Sequence, residues 1–187
     1  MTWREKLNNG EIYYCDEPGF AEEQLACLDK LYDINQTRPT EKAKRAALLR
    51  EFFGAVGENL YIEPPLHANW GRNTYWGNDC YANFNLTLVD DGDIFIGDNV
   101  LIAPNVVIAT AGHPVDPELR RSTAQFSKTV RIGNNVWIGA NSAIMPGVTI
   151  GDNTVIGAGS VVTRDIPANV VAVGSPCRVV REIGAKA

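Results

Sequence analysis

The chain has 187 residues, with 17 lysines and arginines against 22 aspartates and glutamates, for a formal net charge of −5. That length allows one main domain with an appendage, and the acidic balance argues against a general binder of nucleic acid or anionic membranes. No stretch reaches the roughly 18 uninterrupted apolar residues a membrane helix needs, and the start MTWREKLNNGE has no apolar signal core, so a cytoplasmic protein is expected.

The four cysteines, Cys15, Cys27, Cys80 and Cys177, form no Cys-x-x-Cys, and His67 and His113 are too few for a three-histidine site within one chain, although subunits could pool ligands. Neither a disulfide framework nor a metal is expected.

Residues 1–57 read as a helical region. Pro18-Gly19 marks a turn, after which Leu25, Leu28 and Tyr32 fall at helical spacing. A break at Asn35 to Pro39 is followed by Thr40-Glu41, opening a second helix with Ala47, Leu48, Phe52 and Val56 near one face and Gly57 at its end. Such short helices cannot bury themselves, and they are expected to cover exposed strand edges at the start of the remaining chain.

Residues 58–187 read as a repeat domain. It starts in degenerate form at Tyr61, with Ile62, Trp70, Trp76, Ala82 and Leu88 as inward positions, interrupted near Pro64-Pro65 and at residues 90–93. Ile96, Ile102 and Ile108 then keep a six-residue step that resumes at Ile132, Ile138, Ile144, Ile150, Ile156 and Val162. A small or β-branched residue recurs four places after each aliphatic, at Val136, Ser142, Val148, Thr154 and Ser160. A six-residue period suits neither a helix nor an alternating strand, and it predicts a parallel β-helix in which three short strands make one triangular coil. Gly, Asn and Asp fall at the corners, where tight and often positive-φ turns are needed.

Between Thr110 and Thr129 the period breaks, which predicts an extruded loop without structure of its own, a kind of segment that tends to be functional. His113 stands at its root. A histidine there is a candidate functional residue, since imidazole can accept a proton near neutral pH. His67 has no such setting. After Asp165 the phase fades into an arm carrying Arg178 and Arg181.

Taken together, KLNNGEIY, VGENLYIEPP, YANFNLTLVDD, IGDNVLIAPNV, TAGHPV, IGNNVWIGA, PGVTIGDNTVIGAGSVVTRDIP and PCRVVREI resemble the hexapeptide-repeat sugar O-acetyltransferases of the maltose and galactoside type. The resemblance implies a mainly β fold, a left-handed parallel β-helix, and a homotrimer with acetyl-CoA sites between subunits. It implies direct transfer of acetyl from acetyl-CoA, as co-substrate, to the 6-hydroxyl of maltose, glucose or a galactoside, without a metal. A related acyltransferase acting on an antibiotic or a lipo-oligosaccharide is the alternative.

By the same resemblance, His113 is the general base, and Asn83 and Asp91 bind the acceptor sugar. An acidic acceptor-site position near the N-terminus aligns with Cys15, with Asp16 beside it. Trp137 matches a tryptophan flanking the pantetheine arm, and Ala140, Ala158 and Thr163 match positions that line the co-substrate through backbone groups. Arg164, Arg178 and Arg181 match the nucleotide end of the site.

Overall fold

The computed structural model describes residues 2–184; Met1 and residues 185–187, the outer ends of the helical region and the repeat domain, lie outside the described residues. From Val130 to Val162 three successive strands each pair in parallel with the one eighteen positions later, Ile132 with Ile150, Ile138 with Ile156 and Ile144 with Val162. Three strands therefore close one coil of a triangular prism. The coils stack into sheets of five, seven and five strands, called here the first, second and third faces in the order the chain visits them.

The aliphatic series from Ile96 to Val162 is buried along the prism axis. Val136, Ser142, Val148, Thr154 and Ser160 are buried too, because the corner residue before each strand also turns inward. The hydroxyls among them bond to corner carbonyls, as Thr154 Oγ1 does to Pro167 at 2.8 Å.

The corners divide their labour. Asparagine takes the left-handed conformation, with φ of 54–60° at Asn99, Asn105, Asn135, Asn141, Asn153 and Asn169. The side chains then form ladders, Asn85 to Asn105 to Asn141 at 3.0 and 3.1 Å, and Asn135 to Asn153 to Asn169 at 3.1 and 2.8 Å. A corner glycine serves close approach instead: a Cβ on Gly133 would stand 2.3 Å from Asp152 Oδ1.

Five expectations need correction. The repeat begins before Tyr61, since Ala55 and Val56 already pair with Tyr75 and Trp76. The second long helix, α3 (Lys42–Phe52; α1 is Trp3–Lys6 and α2 is Phe20–Asn35), therefore ends well before Gly57 and buries Arg45, Leu49 and Phe52. On α2, Leu25, Leu28 and Tyr32 are exposed, whereas Phe20, Leu31 and Ile34 are buried. The helix end is pinned in that rotation by Asn35, whose amide donates to the Leu66 carbonyl and accepts from the Leu66 N–H, both at 2.8 Å. Trp70 is not an inward residue of the prism; Ala68 takes that position, and Trp70 joins Trp3, Leu7, Tyr13 and Phe20 in a second cluster. Finally, the loop has structure of its own. Residues 111–112 and 126–127 form an antiparallel ladder, and α4 (Pro117–Arg121) is capped by Asp116, which accepts from the N–H groups of Glu118 and Leu119 at 2.8 and 3.1 Å.

The C-terminal arm, Arg178–Glu182, runs antiparallel to Val170–Val173 at the end of the second face. Among the described residues no helix is long and apolar enough to cross a membrane.

Candidate active site

One edge of the prism is irregular in three successive coils. In the upstream coils, partners are twenty positions apart, as Ala68 with Leu88 and Trp76 with Ile96, because the corners at residues 69–73 and 90–93 are longer than the regular ones. One coil further, the same edge emits the loop of residues 110–129, and Ile132 still lands on Ile96. The three departures from the repeat are thus stacked, and Asn69, Asp91 and His113 come from one each.

Hydrogen bonds lock the first two corners together. Asn73 Nδ2 donates to the carbonyls of Asp90 and Asp91 at 2.8 and 3.0 Å. The Asp91 carboxylate receives Asn69 Nδ2 at 3.0 Å and Trp70 Nε1 at 3.1 Å. Thr110 ties in the third corner: its hydroxyl accepts from the Gly92 N–H and donates to the Val89 carbonyl, both at 2.8 Å.

The N-terminal segment closes the other side. Tyr13 and Gln125 exchange backbone hydrogen bonds at 2.9 and 3.0 Å, Gly10 N–H donates to Ser127 at 3.0 Å, and the Ser127 hydroxyl donates to the Leu7 carbonyl. Trp70 stacks on Trp3 with centroids 5.4 Å apart and meets the edge of Phe20 at 5.0 Å. Segment and corner are therefore joined by a shared aromatic core.

These elements enclose a cavity of about 460 Å³, lined among others by Cys15, Gln24, Asn69, Asp91, His113 and Gln125. Its size suits a small-molecule ligand, and its polar side chains suit a polyol. The exposed His113 ring has Nδ1 2.9 Å from the Ala124 carbonyl oxygen. A carbonyl can only accept, so Nδ1 carries the proton and Nε2 keeps a free lone pair. Burial, and after it the charge of Asp91, raises the Cys15 thiol above its ordinary value, so it stands in the cavity as a neutral thiol.

The other residues singled out from the sequence lie elsewhere. Asp16 is exposed and does not line the cavity, which Cys15 does. Asn83 follows the strand Tyr81–Ala82 of the second face and accepts from the Phe84 N–H at 2.8 Å, so the width of the third face separates it from Asp91. Trp137 is 53 % exposed on the second face, in register with Leu101 and Val155. Arg164, Arg178 and Arg181 are exposed at the end of the prism and on the arm, Ala158 and Thr163 are exposed, and Ala140 is half-buried. None of these lines the cavity. Sequence reasoning misses Asn69, Gln24 and Gln125, although the irregular corner that supplies Asp91 is visible as an interruption of the repeat at residues 90–93.

Residues 129–164 match the family described as bacterial transferase hexapeptide (six repeats), and residues 6–57 match the maltose acetyltransferase hexapeptide capping motif. The chain is 51 % identical to a galactoside O-acetyltransferase of Escherichia coli over 183 residues, covering 98 % of this chain and 90 % of that one. The chain belongs to the hexapeptide-repeat sugar O-acetyltransferases. Within this family, the crystal structure of a maltose O-acetyltransferase from Clostridium difficile superposes with a TM-score of 0.96 at 46 % identity, covering 98 % of both chains. A hexapeptide-repeat acetyltransferase of Vibrio cholerae complexed with acetyl coenzyme A superposes with a TM-score of 0.90 at 34 % identity, covering 98 % of this chain and 99 % of that one.

Proposed function

We propose that this acetyltransferase moves an acetyl group from acetyl-CoA to the 6-hydroxyl of a sugar such as maltose, glucose or a galactoside, acting as a cytoplasmic homotrimer. The observation that carries the reading is the free Nε2 of His113 on a cavity that Asp91 also lines. His113 takes the hydroxyl proton while the oxygen bonds to the acetyl carbonyl carbon, and it returns that proton to the sulfur as the carbon–sulfur bond breaks. Asp91, with each oxygen already accepting one hydrogen bond, keeps further lone pairs to orient the acceptor hydroxyls. A backbone N–H at Ala140 or Ala158, which stand at the same edge of the prism as Asn83, receives the developing oxyanion at the cavity of an adjacent subunit.

The surface supports a co-substrate groove. Trp137, Leu101 and Val155 form an outward apolar stripe against which a pantetheine arm packs, and Arg164, Arg178 and Arg181 supply positive charge for phosphates at the far end. Small side chains at Ala140, Ala158 and Thr163 let the ligand approach the coils. Because Asn83 and Asp91 stand at opposite edges of the third face, Asn83 serves the acceptor of an adjacent subunit, which makes a closed trimer the natural assembly. In this arrangement the region 1–57 caps the acceptor end, and the region 58–187 carries the base and the groove.

Acetyl-CoA should release thiol when mixed with enzyme and maltose, glucose or a galactoside, and light scattering should give about three times the chain mass. Turnover with chloramphenicol and none with any sugar would replace the acceptor assignment. An active monomer would remove the intersubunit site.

A further inference from the structure

The two residues that hold the Asp91 carboxylate through their side chains hold the neighbouring Asp90 carboxylate through their backbones. The N–H groups of Asn69 and Trp70 donate to one Asp90 oxygen at 3.0 and 2.9 Å, and the Thr74 hydroxyl donates to the other at 3.1 Å. Asp90 is fully buried and does not line the cavity, so it cannot touch an acceptor. What it does fix is the turn of residues 69–74, and that turn aims the Trp70 indole and the Asn69 amide at Asp91.

Trp70 could be read as packing alone, since it is fully buried between Trp3 and Phe20. The other buried tryptophans argue otherwise. Among the described residues, Trp3 and Trp76 leave their indole N–H without a partner, whereas the Trp70 N–H is directed onto an Asp91 oxygen. An aromatic core that needed only bulk would not require that donor.

We infer that Trp70 and Asp90 are positioning residues for the acceptor, Asp90 by holding the 69–74 turn and Trp70 by fixing the Asp91 carboxylate over the cavity through its indole N–H. The inference rests on the reading that Asp91 binds the acceptor. It assigns the N-terminal aromatic cluster a part in the reaction, because Trp3 and Phe20 hold the ring whose N–H sets Asp91.

Trp70→Phe keeps an aromatic ring, smaller than the indole, and removes the donor. The sugar KM should rise about tenfold, the scale for a hydrogen bond to a charged group, with the acetyl-CoA KM unchanged and the thermal midpoint within a few degrees of wild type. In an Asp91→Ala background the same change should add less than twofold, since its effect runs through Asp91. Asp90→Asn keeps an acceptor oxygen for both N–H groups and lets Thr74 accept instead of donate, so its sugar kinetics should stay near wild type, whereas Asp90→Ala should raise the sugar KM as Trp70→Phe does. Should Asp90→Ala not fold, the Trp70 comparisons still decide. If Asp91→Ala leaves sugar kinetics unaltered, the reading of Asp91 fails and takes the inference with it. If Asp91→Ala is impaired while Trp70→Phe matches wild type, or adds its full tenfold on top of Asp91→Ala, the positioning role alone is overturned.

Discussion

His113 Nδ1 and the Ala124 carbonyl oxygen, 2.9 Å apart, join the root of the extruded loop to its returning limb. Thr123 just before that carbonyl is left-handed, with φ of 63°, and Gln125 just after it is bonded to Tyr13 on both sides of its backbone. The carbonyl that sets the His113 tautomer is therefore held from outside the loop. Replacing His113 by Ala should lower kcat by about 10²–10⁴, the scale for loss of a general base, with acetyl-CoA affinity nearly unchanged. Steady-state kinetics check this, and retained turnover in His113→Ala would refute the assignment.

A second expectation concerns stability and pH. Burial pushes the Asp90 carboxyl up to about 7, against the hydrogen bonds from Trp70 and Thr74 that favour its charged form. Between the unfolded value near 3.9 and about 7, the folded chain binds the proton more tightly, so this group's contribution to stability falls as pH rises through that window and is level above it. The difference amounts to about 4 kcal/mol at most. Asp90→Asn removes the titration, and its thermal midpoint should improve relative to wild type between pH 5 and pH 8. Parallel midpoint curves for the two proteins would show that Asp90 does not titrate as described.

The cysteines should sort by location. Cys15 and Cys27 are half-buried, and Cys80 and Cys177 are buried. Burial raises all four thiols, so alkylation should be slow at neutral pH and faster at alkaline pH. Mass spectrometry of the folded protein treated with iodoacetamide should find adducts on Cys15 and Cys27 before the other two. The Cys15 adduct should abolish acceptor use without abolishing acetyl-CoA binding, and a saturating sugar should slow its formation. Full sugar turnover with Cys15 alkylated would place the acceptor elsewhere.

Arg164 and Arg178 offer a test of the nucleotide end. Alanine at either should raise the acetyl-CoA KM about tenfold and leave the sugar KM near wild type. Acetyl-pantetheine, which lacks the nucleotide, should be used equally well by variant and wild type. An equal penalty for both donors would mean that the arginine meets no phosphate.

The prism is legible in the sequence because its six-residue step is repeated without gaps from Val130 to Val162, and each step predicts the same inward residue. Where the step lengthens, that inference loses its phase. Counting back in sixes from Leu88 through Ala82 and Trp76 puts Trp70 inward, two residues past Ala68, because the longer corner at residues 69–73 hides the true register. The stripe Leu25, Leu28 and Tyr32 fails for a different reason. Helical spacing gives a face but not its direction, and the direction of α2 is set by Asn35 bonding to Leu66, a contact between residues 31 positions apart. His113 stands out by its place at a break in the period. Asn69, Gln24 and Gln125 have no local signature, since the cavity joins three corners, a helix and an N-terminal segment that meet only in the folded chain.

The bond from Ser127 to Leu7 spans 120 positions. Leu7 is synthesised first, and its partner follows only after another 120 residues have been made. Neighbouring coils need contacts of about one turn's length and can stack as they emerge, whereas the proposed acceptor cavity must wait for a closure of high contact order. A nascent or partly unfolded molecule can thus possess ordered coils and lack that cavity. Activity in this enzyme reports on the completion of folding, and not merely on the presence of its repeat.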